Sequence, residues 1–206
     1  MDRKPSGGFT LLELLVAMAV TGILLGVGVP SFVEVMKNAR LSTQHNDLLQ
    51  SLYLARSEAI KGTADVVVCA RSTDTTCSTN PDDWKNGWIV FAEVGGTTDF
   101  TQAQVDTTDD QILRVSPPIS GDNYIVAVGS SDGSVGGASN RYFIRYAGNG
   151  LTNWENGTFE LCDENDGANR ARALNVVATG DARRARATTG ADHIPLDVFG
   201  TAIDCN

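Results

Sequence analysis

The chain has 206 residues, of which 42% are hydrophobic and 20% are charged, and its formal net charge at pH 7 is −9. This length suits one modest globular domain with an anchor, so no second domain is required. The negative charge argues against general affinity for nucleic acid or anionic membranes, although a local basic patch can act against the average.

The N-terminal segment combines a short basic leader with a long apolar run. The leader ends in Gly7-Gly8, and residues 9–29 follow with a single charged side chain, Glu13. About 20 apolar residues can span a bilayer as a helix, whereas the core of a secretory signal usually has about 7–15. Because residues 26–28 form a poor signal-peptidase site, a cleaved signal peptide is the weaker alternative and we expect a retained anchor.

The charges beside this run indicate its orientation. Arg3 and Lys4 lie just before the apolar residues. Short positively charged flanks of a membrane span stay in the cytoplasm. We therefore expect the N-terminus to be cytoplasmic and the rest of the chain to lie outside the cytoplasm.

Glu13 is the unusual residue of the apolar run. An ionisable group inside a membrane span costs several kcal/mol unless it is paired or neutralised. One interpretation is a carboxyl group near the helix end that reaches the interface or is protonated. The other is a carboxylate with a specific partner.

The residues around Glu13 favour the second interpretation. The sequence from Gly8 to Leu15, GFTLLELL, resembles the processing site of type IV pilins and type II secretion pseudopilins. That resemblance implies that a prepilin peptidase cleaves after Gly8 and that Phe9 becomes a methylated N-terminus. It also implies that Glu13 neutralises the terminal amine of a neighbouring subunit. An amine at Phe9 and a carboxylate at Glu13 would each be costly in lipid alone but tolerable as an intersubunit pair.

A second helical segment follows the span. Pro30 should kink the helix, because proline removes a backbone donor and clashes with the preceding turn. Apolar residues then recur at spacings of three, four or seven, which places them on one helix face. We expect this face to pack against a sheet of the same domain, with a zipper to a partner helix as the alternative. The helix should end at Gly62, and the face consists of Leu41, Leu48, Leu52, Ala55 and Ala59.

Short β-branched and aromatic runs occupy the rest of the chain, separated by Gly, Pro, Asn and Asp clusters. We predict an α+β fold in which an antiparallel, sandwich-like sheet packs on the preceding helix. The expected divisions are a leader at 1–8, a transmembrane helix at 9–29, an amphipathic helix at 30–62 and a β-rich head at 63–206. The predicted strands are 65–70, 87–93, 112–116, 123–128, 141–146, 158–162 and 173–178.

All four cysteines, Cys69, Cys77, Cys162 and Cys205, lie beyond the anchor, where an oxidising compartment permits disulfides. Four cysteines allow three pairings. We favour Cys69 with Cys77, which closes a short polar loop, and Cys162 with Cys205, which ties the last residues to a strand. Proximity in sequence supports only the first pair. A structural zinc site is the alternative, but these cysteines lack the usual CxxC or histidine-bearing spacing.

Several head motifs narrow the resemblance to the GspH/FimT family of minor pseudopilins and minor pilins. The likeness covers most of the chain but not residues 95–108 or 129–140. It implies a type IV pilin-like fold. The motifs are LARSEA at 54–59, VVVC at 66–69, Trp84 followed by GWIVF at 87–91, and LNVVATG at 174–180 before an arginine-rich segment.

The basic cluster of the head is a candidate nucleic-acid contact. It consists of Arg183, Arg184 and Arg186, and Arg170 and Arg172 could join it. Some members of the resembled family bind DNA during uptake through a Gly-Arg-x-Arg element at this place, but here residues 180–186 read GDARRAR. A solvated charged face is therefore the first interpretation and DNA contact the alternative.

Other candidate sites have ordinary structural explanations. The aromatic residues Trp84, Trp88 and Phe91 could form a ligand platform, but Trp88 and Val90 alternate with Ile89 and Phe91 as in a half-buried strand, so core packing is the favoured interpretation. Residues 163–167 suggest a calcium loop, although their acidic spacing does not match an EF-hand and an Asx-rich turn explains them. No nucleophile or metal ligand is placed beside His45 or His193, so we predict no catalytic residue, no metal and no cofactor.

We thus expect a non-enzymatic minor pilin or pseudopilin at or near a fibre tip, which initiates a type II secretion pseudopilus or a type IV pilus. The family resemblance implies as partners other minor and major subunits, a prepilin peptidase, inner-membrane lipid and an inner-membrane assembly platform. It places the head in the periplasm and then in the fibre. The alternatives are a DNA receptor in natural transformation and, with less support, an anchored enzyme.

Overall fold

The computed structural model describes residues 9–62, 64–94, 105, 109–130, 139–154, 156–189 and 193–205. The chain forms two compact units, Met1–Ala39 and Arg40–Asn206. One helix, α1 (Leu11–Gly62), contributes residues to both, and Pro30 lies inside it. The second unit contains the β-strands and residues 40–62 of α1, and we call this whole unit the head; the first half of α1 is residues 11–39 and the second half is residues 40–62.

The strands of the head form two antiparallel sheets, as the predicted α+β fold requires. The first sheet has the order β2-β1-β3-β4, and β7 also pairs with β1; the second has the order β10-β9-β8-β5-β6. The strands are β1 (Asp65–Thr73), β2 (Thr76–Cys77), β3 (Trp88–Glu93), β4 (Gln111–Val115), β5 (Asn123–Ser130), β6 (Ser139–Asn140), β7 (Phe143–Tyr146), β8 (Asn156–Asp163), β9 (Gly167–Val177) and β10 (Ala182–Arg184). A 3-10 helix, Pro81–Asn86, precedes β3.

The second half of α1 packs on these sheets, which confirms the predicted role of its apolar face. All five residues of that face are buried and belong to the main core of the head. The same core contains Val66 and Val68 of β1, Phe159 of β8 and Leu174 of β9. Burial of this stripe against sheet residues provides the main hydrophobic stabilisation of the helix in the head.

Strand β1 is buried on both faces, because side chains alternate along a strand. Val66, Val68 and Ala70 face the main core, whereas Val67 and Cys69 belong to a second cluster. That second cluster also contains Cys77, Ile89, Phe91 and Phe143.

The C-terminal segment, residues 193–205, lies over the opposite face of the second sheet. Its Ile203 and Cys205 pack with Cys162 of β8 and Ala173 of β9. Isolated bridges join Ala187 to Pro195 and Leu196 to Ala202. The outer face of the sheet is therefore covered by the last residues of the same chain.

Candidate assembly helix and head surface

The start of α1 holds the residues of the processing motif. Phe9 precedes the helix and is 82% exposed, whereas Gly8 lies outside the described residues. Glu13 is in the first helical turn, and its backbone N–H donates to Thr10 Oγ at 3.2 Å. This bond satisfies one of the free donors of a helix N-terminus.

The first half of α1 exposes mainly apolar side chains. Within the described residues, α1 is the one helix that is long and apolar enough to span a membrane. The side chain of Leu11 is 77% exposed, that of Leu24 67% and that of Phe32 65%. Thr21 satisfies its hydroxyl by donating to the Ala17 carbonyl at 2.7 Å. The Glu13 carboxylate, by contrast, has no hydrogen bond or ion pair to the described residues.

The four cysteines form two pairs in the structure. Cys69 of β1 joins Cys77 of β2, with a Cα–Cα distance of 5.7 Å, inside the second apolar cluster. Cys162 of β8 joins Cys205 across 43 residues, with a Cα–Cα distance of 6.0 Å. The second bond attaches the C-terminal segment to the outer face of the second sheet.

Glu160 lies beside the second disulfide, and the sequence analysis did not single it out. It is 6% exposed and accepts a hydrogen bond from the Cys205 backbone N–H at 3.2 Å. Burial raises the pKa of Glu160 to about 7; the Cys205 amide opposes this, while Asp204 and Asp197 add to it. A sequence signal existed, because Glu160 and Cys162 are two positions apart on a strand and so share a face.

The side-chain ligand atoms of Glu160, Cys162 and Cys205 lie within 4.8 Å of one another. It is the one cluster of this kind within the described part of the chain. Since its two sulfurs are bonded to each other, the cluster has no free thiolate for a metal.

The arginines of the basic cluster surround one groove but do not all face the same way. Arg183, Arg184 and Arg186 are exposed and line a groove of about 500 Å³ together with Asn175 and residues 196–200. In the strand pairing Arg183 lies opposite Asn175, whereas Arg184 lies opposite a core residue. The Arg184 Nη2 donates to Asn46 Oδ1 of α1 at 2.8 Å. One of the three cations is thus directed towards the helix.

Arg170 does not extend this basic cluster. Its Nε donates to Asp166 Oδ2 at 2.7 Å, in an ion pair beside the β8–β9 turn. In that turn Asp163 Oδ1 accepts the N–H groups of Asn165 and Asp166. These bonds form the Asx-type turn expected for residues 163–167.

The aromatic residues form part of the core, as the core-packing interpretation predicts, but β3 is buried on both faces and is not the expected half-buried strand. Trp84 and Phe91 are fully buried and Trp88 is 2% exposed. Trp84 Nε1 donates to the Arg141 carbonyl and Trp88 Nε1 donates to Ser51 Oγ, at 2.7 and 2.8 Å. With their rings buried and their N–H groups satisfied, these residues contribute to the packing of the core and do not form an exposed aromatic platform.

A buried ion pair joins β3 and β7, two of the strands that pair with β1. Arg145 of β7 contacts Glu93 of β3 at 2.7 Å, and both side chains are almost completely buried. Burial raises the pKa of Glu93 to about 7, and the Arg145 guanidinium opposes this increase. Removal of either partner would leave the other buried without its counter-charge, which would destabilise the contact between the two strands.

Comparisons with known proteins agree with this architecture. The family described as "Type II transport protein GspH" matches residues 44–180, and the prokaryotic N-terminal methylation motif matches residues 3–29. The chain is similar to the crystal structure of the type IV minor pilin FimU from Pseudomonas aeruginosa, with 15% sequence identity and a TM-score of 0.51. That match covers 84% of this chain and 99% of FimU, and it shows the same fold.

A further match is the minor pseudopilin EpsH from the Type 2 Secretion System of Vibrio cholerae, at 12% identity and a TM-score of 0.42. It covers 70% of this chain and 95% of EpsH. The GspH match alone spans more than half of the chain and includes the second half of α1 and most of the head. The chain therefore belongs to the GspH family, whose members associate with other pilins or pseudopilins in a fibre.

Proposed function

We propose that this protein is a non-enzymatic minor subunit at or near the tip of a type II secretion pseudopilus or a type IV pilus. A prepilin peptidase cleaves after Gly8, and Phe9 becomes the methylated N-terminus. The first part of α1 anchors the chain in the inner membrane, with the N-terminus cytoplasmic and the head periplasmic. An assembly platform in that membrane then transfers the subunit into the fibre.

The exposed first half of α1 is the observation that carries this proposal. Large apolar side chains cover it, and a helix of that kind is stable only in lipid or against other apolar helices. Its single carboxylate, Glu13, is four residues after Phe9. When the helix leaves lipid for the fibre, the Glu13 carboxylate and the Phe9 amine of a neighbour neutralise each other, which favours correctly placed subunits.

Mass spectrometry of the protein from its own membranes tests the processing step. We expect a mature chain that begins with methylated Phe9, and a strain without prepilin peptidase should retain the leader. An intact Met1 in normal cells, or a start near Val29, would contradict the proposal. Deletion of the gene should then separate the machines, because export of secreted proteins fails in one case and twitching or DNA uptake in the other.

Binding of DNA by the head is the second candidate. It is favoured by the shared groove of Arg183, Arg184 and Arg186, in which the Asp197 carboxylate is already engaged by the N–H groups of Phe199 and Thr201. Phosphate contacts of this kind weaken with salt. A mobility shift of duplex DNA by the full chain in detergent should disappear in salt and after replacement of the arginines. Absence of a shift at low salt would exclude this role.

A further inference from the structure

The two disulfides of the head have different chemical surroundings. Cys69–Cys77 lies among Val67, Ile89 and other apolar side chains of the second cluster. Cys162–Cys205 lies beside the buried carboxyl group of Glu160, whose oxygen is within 4.8 Å of both sulfur atoms. The difference matters because formation of a disulfide requires a thiolate, so a proton must leave a thiol at each closure.

The position of Glu160 is set by the strand and by the C-terminal segment together. Glu160 and Cys162 project from the same face of β8, and the Cys205 N–H binds the Glu160 carboxylate when the segment docks. The same contact that brings the Cys205 sulfur to Cys162 therefore brings it to the carboxylate. Within the described residues, no cation forms an ion pair with Glu160.

The charged and titratable groups around Glu160 are few. Asp197 and Asp204 of the C-terminal segment disfavour its ionised form. Tyr124 of β5 donates its hydroxyl to the Cys205 carbonyl at 2.8 Å, and its own pKa is raised, first by burial and then by Glu160. With a pKa raised to about 7, Glu160 is a stronger proton acceptor than an ordinary carboxylate, whose pKa is about 4.3.

We propose that Glu160 is the proton acceptor for closure of the Cys162–Cys205 disulfide during oxidative folding, and that Cys69–Cys77 closes without such a group. The co-reactant is an external disulfide, of the kind carried by thiol–disulfide oxidoreductases or by oxidised glutathione.

The reaction has two exchanges. Cys205, which is 7% exposed, first forms a mixed disulfide with the external sulfur and releases one external thiol, whereas Cys162 is completely buried. The Cys162 thiol then gives its proton to the Glu160 carboxylate, and its sulfur attacks the Cys205 sulfur. The bond from Cys205 to the carrier breaks, and the carrier leaves as a thiolate with the electron pair. In total two thiols are oxidised and one external disulfide is reduced.

Closure of both bonds can be followed in the same sample. The reduced full chain in detergent micelles is mixed with excess oxidised glutathione, quenched with an alkylating reagent and analysed by peptide mass spectrometry between pH 5.5 and 8.5. In the wild type, the rate of Cys162–Cys205 closure should rise up to a pH near 7 and more slowly above it. Glu160→Gln should remove this inflection and slow closure at pH 7 by about tenfold, which is less than the roughly 100-fold at the lower end of what positioned proton acceptors typically contribute.

Two controls separate proton transfer from a general effect on folding or charge. The rate of Cys69–Cys77 closure should be equal in the wild type and Glu160→Gln, and Asp204→Asn should keep the inflection. Three results would overturn the proposal: an unchanged rate and pH profile in Glu160→Gln, equal slowing of both disulfides in that variant, or loss of the inflection in Asp204→Asn.

Discussion

The two halves of α1 are parts of one helix but are exposed very differently. In the first half the large apolar side chains are about half to four-fifths exposed, as Val33 at 48% and Leu11 at 77% illustrate. In the second half Leu48, Leu52 and Ala55 are completely buried by the two sheets of the head. An apolar surface stabilises a fold only where something covers it.

Because of this difference in exposure, the two halves of α1 are expected to contribute to different properties of the protein. The second half is held by side chains of the same molecule, so its sequence serves the stability of the head. The first half is covered by no described residue of its own chain, and in the proposed function its apolar surface makes the contacts with lipid and with other subunits. Substitutions in the two halves should therefore affect different measurements.

The largest effect should come from Glu13→Ala in the first half. In the proposed intersubunit pair, removal of the carboxylate leaves the Phe9 amine of the adjacent subunit without its counter-charge, and an unpaired charge in an apolar environment costs several kcal/mol. We expect incorporation into sheared fibres to be lost while the amount of protein in the membrane stays normal. Immunoblots of the sheared and membrane fractions measure both quantities.

Glu34→Ala is the matched control, because it removes the other carboxylate from the exposed half of α1, outside the apolar run. It should leave incorporation intact. Normal incorporation of Glu13→Ala would contradict the assembly role, and a deficit in membrane protein would indicate a defect in insertion instead.

Leucine truncations compare the two halves directly. Leu52→Ala should destabilise the head by about 2–5 kcal/mol, because it leaves a cavity in the main core. Leu15→Ala, at a residue that is 55% exposed, should change head stability by less than about 0.5 kcal/mol. Denaturant unfolding in detergent, followed by tryptophan fluorescence, measures this, since Trp84, Trp88 and Trp154 all lie in the head. Equal effects of the two substitutions on the free energy of unfolding would contradict the conclusion that only the second half of α1 stabilises the head.

The periodic parts of the fold could be predicted from the sequence. The spacing of Leu41, Leu48 and Leu52 identified the buried face of the helix, and β-branched runs located β1 and β3 within one residue at their starts. Both signals come from the repeat of the secondary structure itself. The expected α+β fold is confirmed.

Other features depend on contacts distant in sequence. Strand β9 begins at Gly167, six residues before its predicted start, because its polar first half is held by pairing with β8 rather than by its own hydrophobicity. Strands β2, β6 and β10 have two or three residues each and gave no periodic signal. In the same way, the hydrogen bond of Arg184 to Asn46 could not be read from the arginine cluster.

A glycine comparison tests how closely the head packs around the second half of α1. Gly180 has a φ of +79°, and a Cβ there would collide with the Gly150 carbonyl oxygen and approach Arg56 Nε at 3.1 Å. Arg56 of α1 also donates to the Thr179 carbonyl at 2.8 Å. Gly180→Ala should therefore cost about 1–2 kcal/mol for the left-handed backbone and about 1–3 more for the overlap.

Gly167→Ala is the matched control for that backbone term. Gly167 also has a positive φ, +53°, but nothing lies within 4 Å of its Cβ position. Gly167→Ala should lower the free energy of unfolding only by the backbone contribution, about 1–2 kcal/mol, in the same unfolding measurement. An equal loss of unfolding free energy in both variants would contradict the close packing at Gly180. It would show that the loop at Gly150 moves to accommodate the added methyl group.

The smallest effect concerns pH and should belong to the head alone. His45 is buried in the second half of α1, with Nε2 3.2 Å from the Ala173 carbonyl oxygen. Burial lowers the pKa of His45 below its usual 6.5; Ala173 and Asn46 oppose this, and Arg172 and Arg184 add to it. The folded state therefore binds this proton less readily than the unfolded state, so the stability it contributes is complete above pH 6.5 and is lost as the pH falls below that value.

The test must isolate His45, because the raised pKa values of Glu93 and Glu160 act in the opposite direction: their contribution is lost as the pH rises towards 7. We therefore compare denaturant midpoints of the wild type and His45→Gln at pH 5, 6, 7 and 8. The difference between the two midpoints should shrink as the pH falls from 7 to 5, because the wild type loses the contribution of neutral His45. If the midpoints of His45→Gln and the wild type changed in parallel with pH, protonation of His45 would not destabilise the folded state. The second half of α1 would then be more accessible to water than its burial indicates.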